Sequence, residues 1–255
     1  MITNEVTEAK IKSAFRGALA NDELVVKVQQ ILAGHGYTET NTLVASSLCC
    51  DEVNRALEND FAKVYGDHFS MGGLAGFPFG GITSFGAMAH HIPTGGSCLI
   101  VYGPHVGVDS KGVVGKVDRR GRPGSGTCCG SAAAAAAYVD IVTCGKASPA
   151  AIPTIPTDAQ QSYVGACLLP HGKRLADAGD KDVELPLALF DSIEEMMKKI
   201  VKAGCGEVAG SGKIALLGGV QINTPQGTSD YFLPKSFEIW SNKGNLLQKV
   251  LLRGI

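Results

Sequence analysis

The chain carries little charge, and what it carries nearly cancels. Charged residues make up 18% of its 255 residues and the net charge is -1. That balance excludes the electrostatic footprint of a nucleic-acid partner. The one short basic run, Lys116-Val117-Asp118-Arg119-Arg120-Gly121-Arg122, reads as a solvated loop. No apolar stretch is long enough to span a bilayer, and the alanine run from Ala132 to Ala137 reads instead as a helix packed closely on a neighbour. The start of the chain has Glu5 and Glu8 and no apolar signal core. It is not the arginine-rich, acid-poor start of a transit peptide either, so neither kind of leader is expected. No Cys-x-x-Cys pair occurs, and no linker or internal repeat divides the chain.

What is present is a hydrophobic fraction of 45%, enough for a sizeable core in one large α/β domain or two small ones. Eight cysteines in a chain of this length do not form a secreted disulfide framework. Four of them, Cys98, Cys144, Cys167 and Cys205, sit in apolar surroundings and read as small buried hydrophobes.

Hydrophobic spacing predicts helices over residues 6–19 and, from a cap at Asp22 to Gly34, a second one. A short strand follows over 42–48, then a helix over 51–64. The segment from Ser70 to Gly81 is rich in glycine but carries Met71, Leu74, Phe77 and Phe79, so it is an ordered loop with tight turns or close backbone approach. A short helix over 83–90 ends at Ile92-Pro93. A buried strand is expected over 98–108, a polar loop or hairpin over 109–127, and an alanine-rich helix from Cys128 to about 142. Helices over 160–169 and 192–202, a strand over 214–223, and a hairpin about Asn242-Lys243-Gly244 complete the pattern. Alternating elements predict an α/β fold with a central sheet.

Two adjacent-cysteine pairs, Cys49-Cys50 and Cys128-Cys129, bracket a double histidine, His90-His91. Thiolate sulfur and imidazole nitrogen are what a tetrahedral zinc ion takes, and three protein ligands leave one position open for water, the pattern of a catalytic site. Cys128-Cys129 opens a helix, where the partial positive charge of the N-terminus favours a thiolate. Asp51 follows the first cysteine pair and stands four residues before Arg55. On a helix the two share a face, either as an ordinary ion pair or with the arginine holding a carboxylate that serves the metal site. His105 is a candidate pocket residue, or a histidine satisfied at a strand end. Spacing alone leaves open which member of each pair would be a ligand.

The pieces Cys49-x-Asp51-x-x-x-Arg55, the glycine-rich loop from Ser70 to Gly81, His90-His91-Ile92-Pro93, Gly103-Pro104-His105-Val106-Gly107 and Cys128-Cys129-Gly130 together resemble the limiting-CO2-inducible protein B family, also called theta-type carbonic anhydrases. The resemblance covers residues 40–140 strongly and the rest diffusely. It implies a β-carbonic-anhydrase-like single domain over residues 1–255: a mixed central β-sheet flanked by helices, with N-terminal helices over about 5–34, a zinc-site core over about 40–145, and further sheet and helices over 150–255. It implies a zinc-dependent lyase that interconverts CO2 and bicarbonate by attack of zinc-bound hydroxide, a homodimer, and a carbon-concentrating role in the chloroplast. Carried over residue by residue, the ligands are Cys49, His91 and Cys129, and the dyad is Asp51 with Arg55. The β-type motif has its arginine two residues after the aspartate, where this chain has Val53. Phe77, Phe79 and Phe85 are candidates for an apolar CO2 pocket.

Three other readings stand beside this one: a catalytically silent zinc-binding subunit of a carbon-concentrating assembly, a thiol redox protein, and a nucleotide-binding protein. Gly210-Ser211-Gly212-Lys213 is only a fragment of a phosphate-binding loop, since Ile214 stands where serine or threonine is needed.

Overall fold

A computed structural model describes residues 4–153 and 155–252. In chain order the elements are α1 (Glu5–Ala14), β1 (Leu19–Ala20), α2 (Asn21–Ala33), β2 (Thr42–Ser47), α3 (Arg55–Tyr65), β3 (His68–Ser70), α4 (Gly81–Ala89), β4 (Ser97–Tyr102) and β5 (His105–Gly107). Then come β6 (Lys116–Asp118), β7 (Ser125–Thr127), α5 (Gly130–Thr143), α6 (Ala159–Leu168), α7 (Gly172–Ala176), α8 (Lys181–Gly204), β8 (Lys213–Asn223), β9 (Tyr231–Ser241) and β10 (Leu246–Lys249).

Eight strands form one mixed sheet in the order β1-β9-β8-β4-β2-β3, with β10 also on β9 and β5 also on β8. The run β3, β2, β4, β8 is parallel, while β9 runs against β8 and carries β1 and β10 antiparallel on its far side. The parallel strands are apolar on both faces, as strands covered on both sides must be. Leu43, Ala45, Cys98, Ile100, Tyr102, Ile214 and Leu216 pack on one side with residues of α1, α4, α5, α6 and α8. Their alternates Val44, Leu99, Val101, Ala215 and Leu217 pack on the other side with α2 and α3. Truncating a fully buried member such as Ile100 to alanine costs about 2–5 kcal/mol. No helix among the described residues is long and apolar enough to cross a membrane.

The fold departs from the sequence reading in three instructive places. The strand expected over 98–108 is two strands. Gly103 has φ +145, a Cβ there would lie 1.7 Å from the Gly219 carbonyl oxygen, and Pro104 has no N–H for the ladder. Before the break, β4 pairs with both β2 and β8; after it, β5 pairs with β8 alone, His105 opposite Gln221. The helix expected over 192–202 begins at Lys181 instead, because Asp180 caps it by accepting from the Asp182 and Val183 amides and Pro186 is accommodated inside it. Of the four cysteines expected to be buried, Cys144 is exposed just past α5 and Cys167 is half-buried, whereas Cys98 and Cys205 are buried.

Candidate metal centre

Parallel strands send their carboxyl ends to one edge of a sheet, and the segments that leave there are the ones free to build a site. Ser47, the last residue of β2, stands opposite Tyr102, the last of β4. Cys49 lies two residues beyond the first and His105 three beyond the second. The glycine-rich loop straps these strand ends together. A Cβ at Gly72 would lie 2.1 Å from the Leu48 carbonyl oxygen and one at Gly76 2.1 Å from that of Gly103. Ser47 Oγ donates to the Gly76 carbonyl at 2.9 Å. The loop glycines thus serve close backbone approach.

The third segment is the start of α5. Cys129 is its N-cap residue, and its sulfur lies 3.8 Å from that of Cys49. Donor atoms of Cys49, His105 and Cys129, all buried, lie within 4.8 Å of one another. A second, overlapping group of Asp51, His105 and Cys128 meets the same limit.

His105 is held by its Nδ1, which lies 2.8 Å from Asn223 Oδ1. The Asn223 amide is itself fixed: its Nδ2 donates to the Val53 carbonyl at 3.0 Å and to Asp230 Oδ2 at 3.2 Å. Its oxygen must therefore face His105, so Nδ1 carries the proton and donates. The Cys128 sulfur, 3.4 Å from Nδ1, fits the same arrangement as an acceptor. Nε2 is left as a buried atom with no hydrogen-bond partner, an unused lone pair on a ring grouped with two sulfurs. This donor set fits a soft or borderline divalent ion.

The two sulfurs are electrostatically unequal. The bond with Cys129 and then burial push the Cys49 thiol up to about 12. The same bond, seconded against burial by the backbone N–H groups of Ala132 and Ser131, lowers that of Cys129. A lowered thiol at the helix N-terminus is what the sequence led one to expect.

Asp51 Oδ2 lies 4.0 Å from His105 Nε2 and accepts from Arg119 Nη2 at 2.8 Å. Arg119 also donates through Nε to Glu52 at 3.0 Å and through Nη1 to the Thr127 carbonyl at 3.1 Å. Burial and the bond with Glu52 raise the Asp51 carboxyl, with His105 and Arg119 opposing. Arg119 stands on the wall of an open cleft of about 1120 Å³ that it shares with Glu52, Asn223 and Asp230. Val106, Ala132, Ala133, Leu185 and Pro186, with Thr127 and Asp182, help enclose a cavity of about 40 Å³ against His105, Cys128 and Cys129.

Residues 18–241 match the family model described as limiting CO2-inducible proteins B/C beta carbonic anhydrases. The chain belongs to this family. It superposes on PtLCIB4, a homolog of the limiting CO2-inducible protein LCIB, with TM-score 0.90 at 48% identity over 96% of this chain and 100% of that one. A mutant of PtLCIB4 gives 0.91 at 48% identity over 97% and 99% of the two chains. LCIB itself gives 0.73 at 19% identity over 96% and 98%, a likeness of fold. No curated protein matches the chain.

Within this LCIB-type frame, the structure brings Cys49 and Cys129 together around His105, with Asp51 against the same imidazole, and brings neither His91 nor Arg55 to them. His91 is exposed at the end of α4, its ring 5.7 Å from that of Phe69. His90 is exposed too, 3.9 Å from Glu207. Neither belongs to the donor cluster; the imidazole there is His105. Helix α4 ends with both histidines on its solvent side, and nothing turns them toward the sulfurs. Arg55 does not meet Asp51. It donates to the Cys49 carbonyl at 2.7 Å and pairs with Glu58 at 2.7 Å, because the chain between runs as a 3-10 turn over Glu52–Asn54 and not as the α-helix that would align i and i+4. The arginine on Asp51 is Arg119, from the basic run read as a solvated loop. The three phenylalanines also sit elsewhere. Phe77 and Phe79 stack at 5.6 Å and both meet Tyr163 edge-on, while Phe85 packs on Gly204; none lines the small cavity. Asn223 and Asp230 carried no local signal, since their role depends on the β8–β9 turn folding back.

Proposed function

We propose that the chain is a zinc-dependent carbonic anhydrase interconverting CO2 and bicarbonate. The observation that carries this reading is the imidazole of His105, its Nε2 buried and unpartnered, grouped within 4.8 Å with the sulfurs of Cys49 and Cys129 in a chain of this family. Two thiolates and one neutral imidazole would hold the ion and leave one of four tetrahedral positions open. A zinc ion bound there supplies a Lewis acid that acidifies water for attack on CO2.

The chain's own groups do the rest. Asp51 is placed on the Nε2 side of His105, where its carboxylate accepts a hydrogen bond from the reacting water and aims it. Arg119 keeps that carboxylate ionised and fixed through a charge-assisted bond, and delivers the site to the open cleft, where protons reach solvent. Arg55 acts at one remove, by holding the Cys49 carbonyl. The small cavity, apolar along Val106, Ala132, Ala133, Leu185 and Pro186 and polar at Thr127 and Asp182, is of a size to admit CO2. A homodimer, and a carbon-concentrating role in the chloroplast, belong to the same reading through the family resemblance.

Isotope exchange between 18O-labelled bicarbonate and water tests it. Metal-loaded protein should accelerate the exchange, and Cys49→Ser should not. A protein that binds one zinc per chain yet leaves the exchange rate at background would instead be the silent subunit. One observation favours that second reading: Asp51 Oδ2 lies 4.0 Å from His105 Nε2 and groups with His105 and Cys128, so its carboxylate competes for the same imidazole.

A further inference from the structure

The turn between β8 and β9 folds Asp230 back onto the last residues of β8, and one donor on its carboxylate, Asn223, is also the residue that holds His105. Oδ1 accepts from the Thr224 backbone N–H at 2.8 Å and from Thr224 Oγ1 at 3.1 Å. Oδ2 accepts from Asn223 Nδ2 at 3.2 Å and, at 3.5 Å, from Gln221 Nε2. We propose that Asp230, acting through Asn223, is the positioning residue that decides which nitrogen of His105 carries its proton and which faces Cys49 and Cys129 as a lone pair. Its consequence for metal binding rests on the reading of His105 as a ligand.

The argument is one of donors and acceptors. A carboxylate accepts on both oxygens, whereas an amide in its place accepts on one side and donates on the other. In Asp230→Asn the new NH2 cannot face the Thr224 backbone N–H, which is a fixed donor. It must face Asn223, whose own NH2 now points at it. Asn223 relieves that clash by rotating its amide and giving up its bond to the Val53 carbonyl. The rotated amide presents NH2 to His105 Nδ1, which must then accept, so the proton moves to Nε2 and the lone pair aimed at the sulfurs is lost. A single oxygen-to-nitrogen change some distance from the donors thus reverses the tautomer at the site.

The same logic supplies a rescue. In the double variant Asn223→Asp with Asp230→Asn, the residue at 223 can only accept, so His105 Nδ1 must donate again. The NH2 at 230 then has the carboxylate at 223 to bond. Gln221 can follow, because its Oε1 is buried and has no partner in the native arrangement; rotated, it accepts from the NH2 at 230.

The test uses the full chain in three forms, native, Asp230→Asn and the double variant. Long-range 1H–15N correlation spectra of the metal-free protein report which His105 nitrogen is protonated. Chelator competition with zinc, and the absorption of the cobalt-substituted form, report the metal. Nδ1 should be protonated in the native chain, Nε2 in Asp230→Asn and Nδ1 again in the double variant. Zinc affinity should fall about 10–100-fold in the single variant, the usual cost of losing a partner behind a ligating histidine, and recover in the double one. An unchanged His105 tautomer in a folded Asp230→Asn, or a double variant as impaired as the single one, overturns the proposal. A tautomer that reverses as expected in a chain that retains no zinc in any form would uphold Asp230 as the positioning residue and defeat the metal reading instead.

Discussion

The corner at the end of α4 and the carboxyl edge of the parallel strands each carry histidine beside proline, and they treat it oppositely. At the corner, the His90 side chain is 76% exposed, and His91 is exposed beside Phe69. At the strand edge, Gly103-Pro104 interrupts the ladder and the next residue, His105, is 2% exposed, bonded on one nitrogen and bare on the other. A solvated imidazole is satisfied by water and free to rotate. A buried one with a fixed proton and an unused lone pair is oriented for a partner, and its desolvation is compensated only if something binds there. Prominence in sequence goes to the doubled histidines; burial and fixed orientation go to the single one that the topology turns inward.

Exchanging the two roles is the strongest way to break that comparison. His105→Ala should reduce zinc affinity by at least about 100-fold, as expected when one of few protein ligands to a tightly held ion is lost. His91→Ala should leave one zinc per chain and shift stability by no more than about 0.5 kcal/mol, the usual range for a surface site. Metal analysis after dialysis against a weak chelator reads both. Retention of zinc by His105→Ala with its loss from His91→Ala would reverse the assignment.

The two arginines near Asp51 make a second contrast, next in size. Arg119 touches the carboxylate, and Arg55 touches the Cys49 backbone. Arg119→Ala should lower kcat for CO2 hydration about 100-fold, of the order seen when a preorganised electrostatic partner is removed, with zinc retained. Equal loss of zinc and of rate would mean that Arg119 holds the fold of the site and not its charge.

How much of this could be read from residues alone follows from which links are local. The parallel strands were legible because double burial writes continuous apolar runs such as Cys98-Leu99-Ile100-Val101, and the helix opening at Cys128-Cys129 because small residues followed. The two cysteine pairs and Asp51 were legible as candidates because strand end and helix start are themselves local events, while the choice of Cys49 and Cys129 within the pairs came from the family resemblance. His105 was not chosen because the Gly103-Pro104 break was read through as strand, and it is that break which moves the chain off β2 and along β8. Arg119 was missed because a basic run on a hairpin has no spacing that reports what the hairpin lies against. Its partner Asp51 is 68 residues away, a distance only the fold closes.

The two sulfurs can be compared by acid. In the metal-free chain Cys49 holds its proton at neutral pH, pushed up to about 12 by the bond with Cys129 and by burial, while Cys129 is shifted down. A metal ion must displace the Cys49 proton, so binding releases it and apparent affinity weakens as pH falls, by about tenfold per pH unit for each proton released. Calorimetry in buffers of different ionisation enthalpy counts these protons. A count of zero between pH 7 and 8 would mean that Cys49 is not a ligand.

The smallest effect sharpens the arginine contrast. Arg55 is half-exposed, but Glu58, which it pairs with, is 6% exposed. Glu58 also accepts from Ser46 Oγ at 2.5 Å and has His68 within 3.7 Å, so removing Arg55 leaves a buried carboxylate that keeps part of its hydrogen bonding. Arg55→Ala should therefore cost stability about 1–2 kcal/mol, toward the lower end for a buried charged group losing one partner. It should change kcat less than about threefold, because Asn54 Nδ2 still donates to the Cys49 carbonyl at 3.3 Å. Urea unfolding reads the first quantity and stopped-flow CO2 hydration the second. A rate loss as large as that of Arg119→Ala, at unchanged stability, would return Arg55 to the dyad and make the bond between Arg119 and Asp51 incidental.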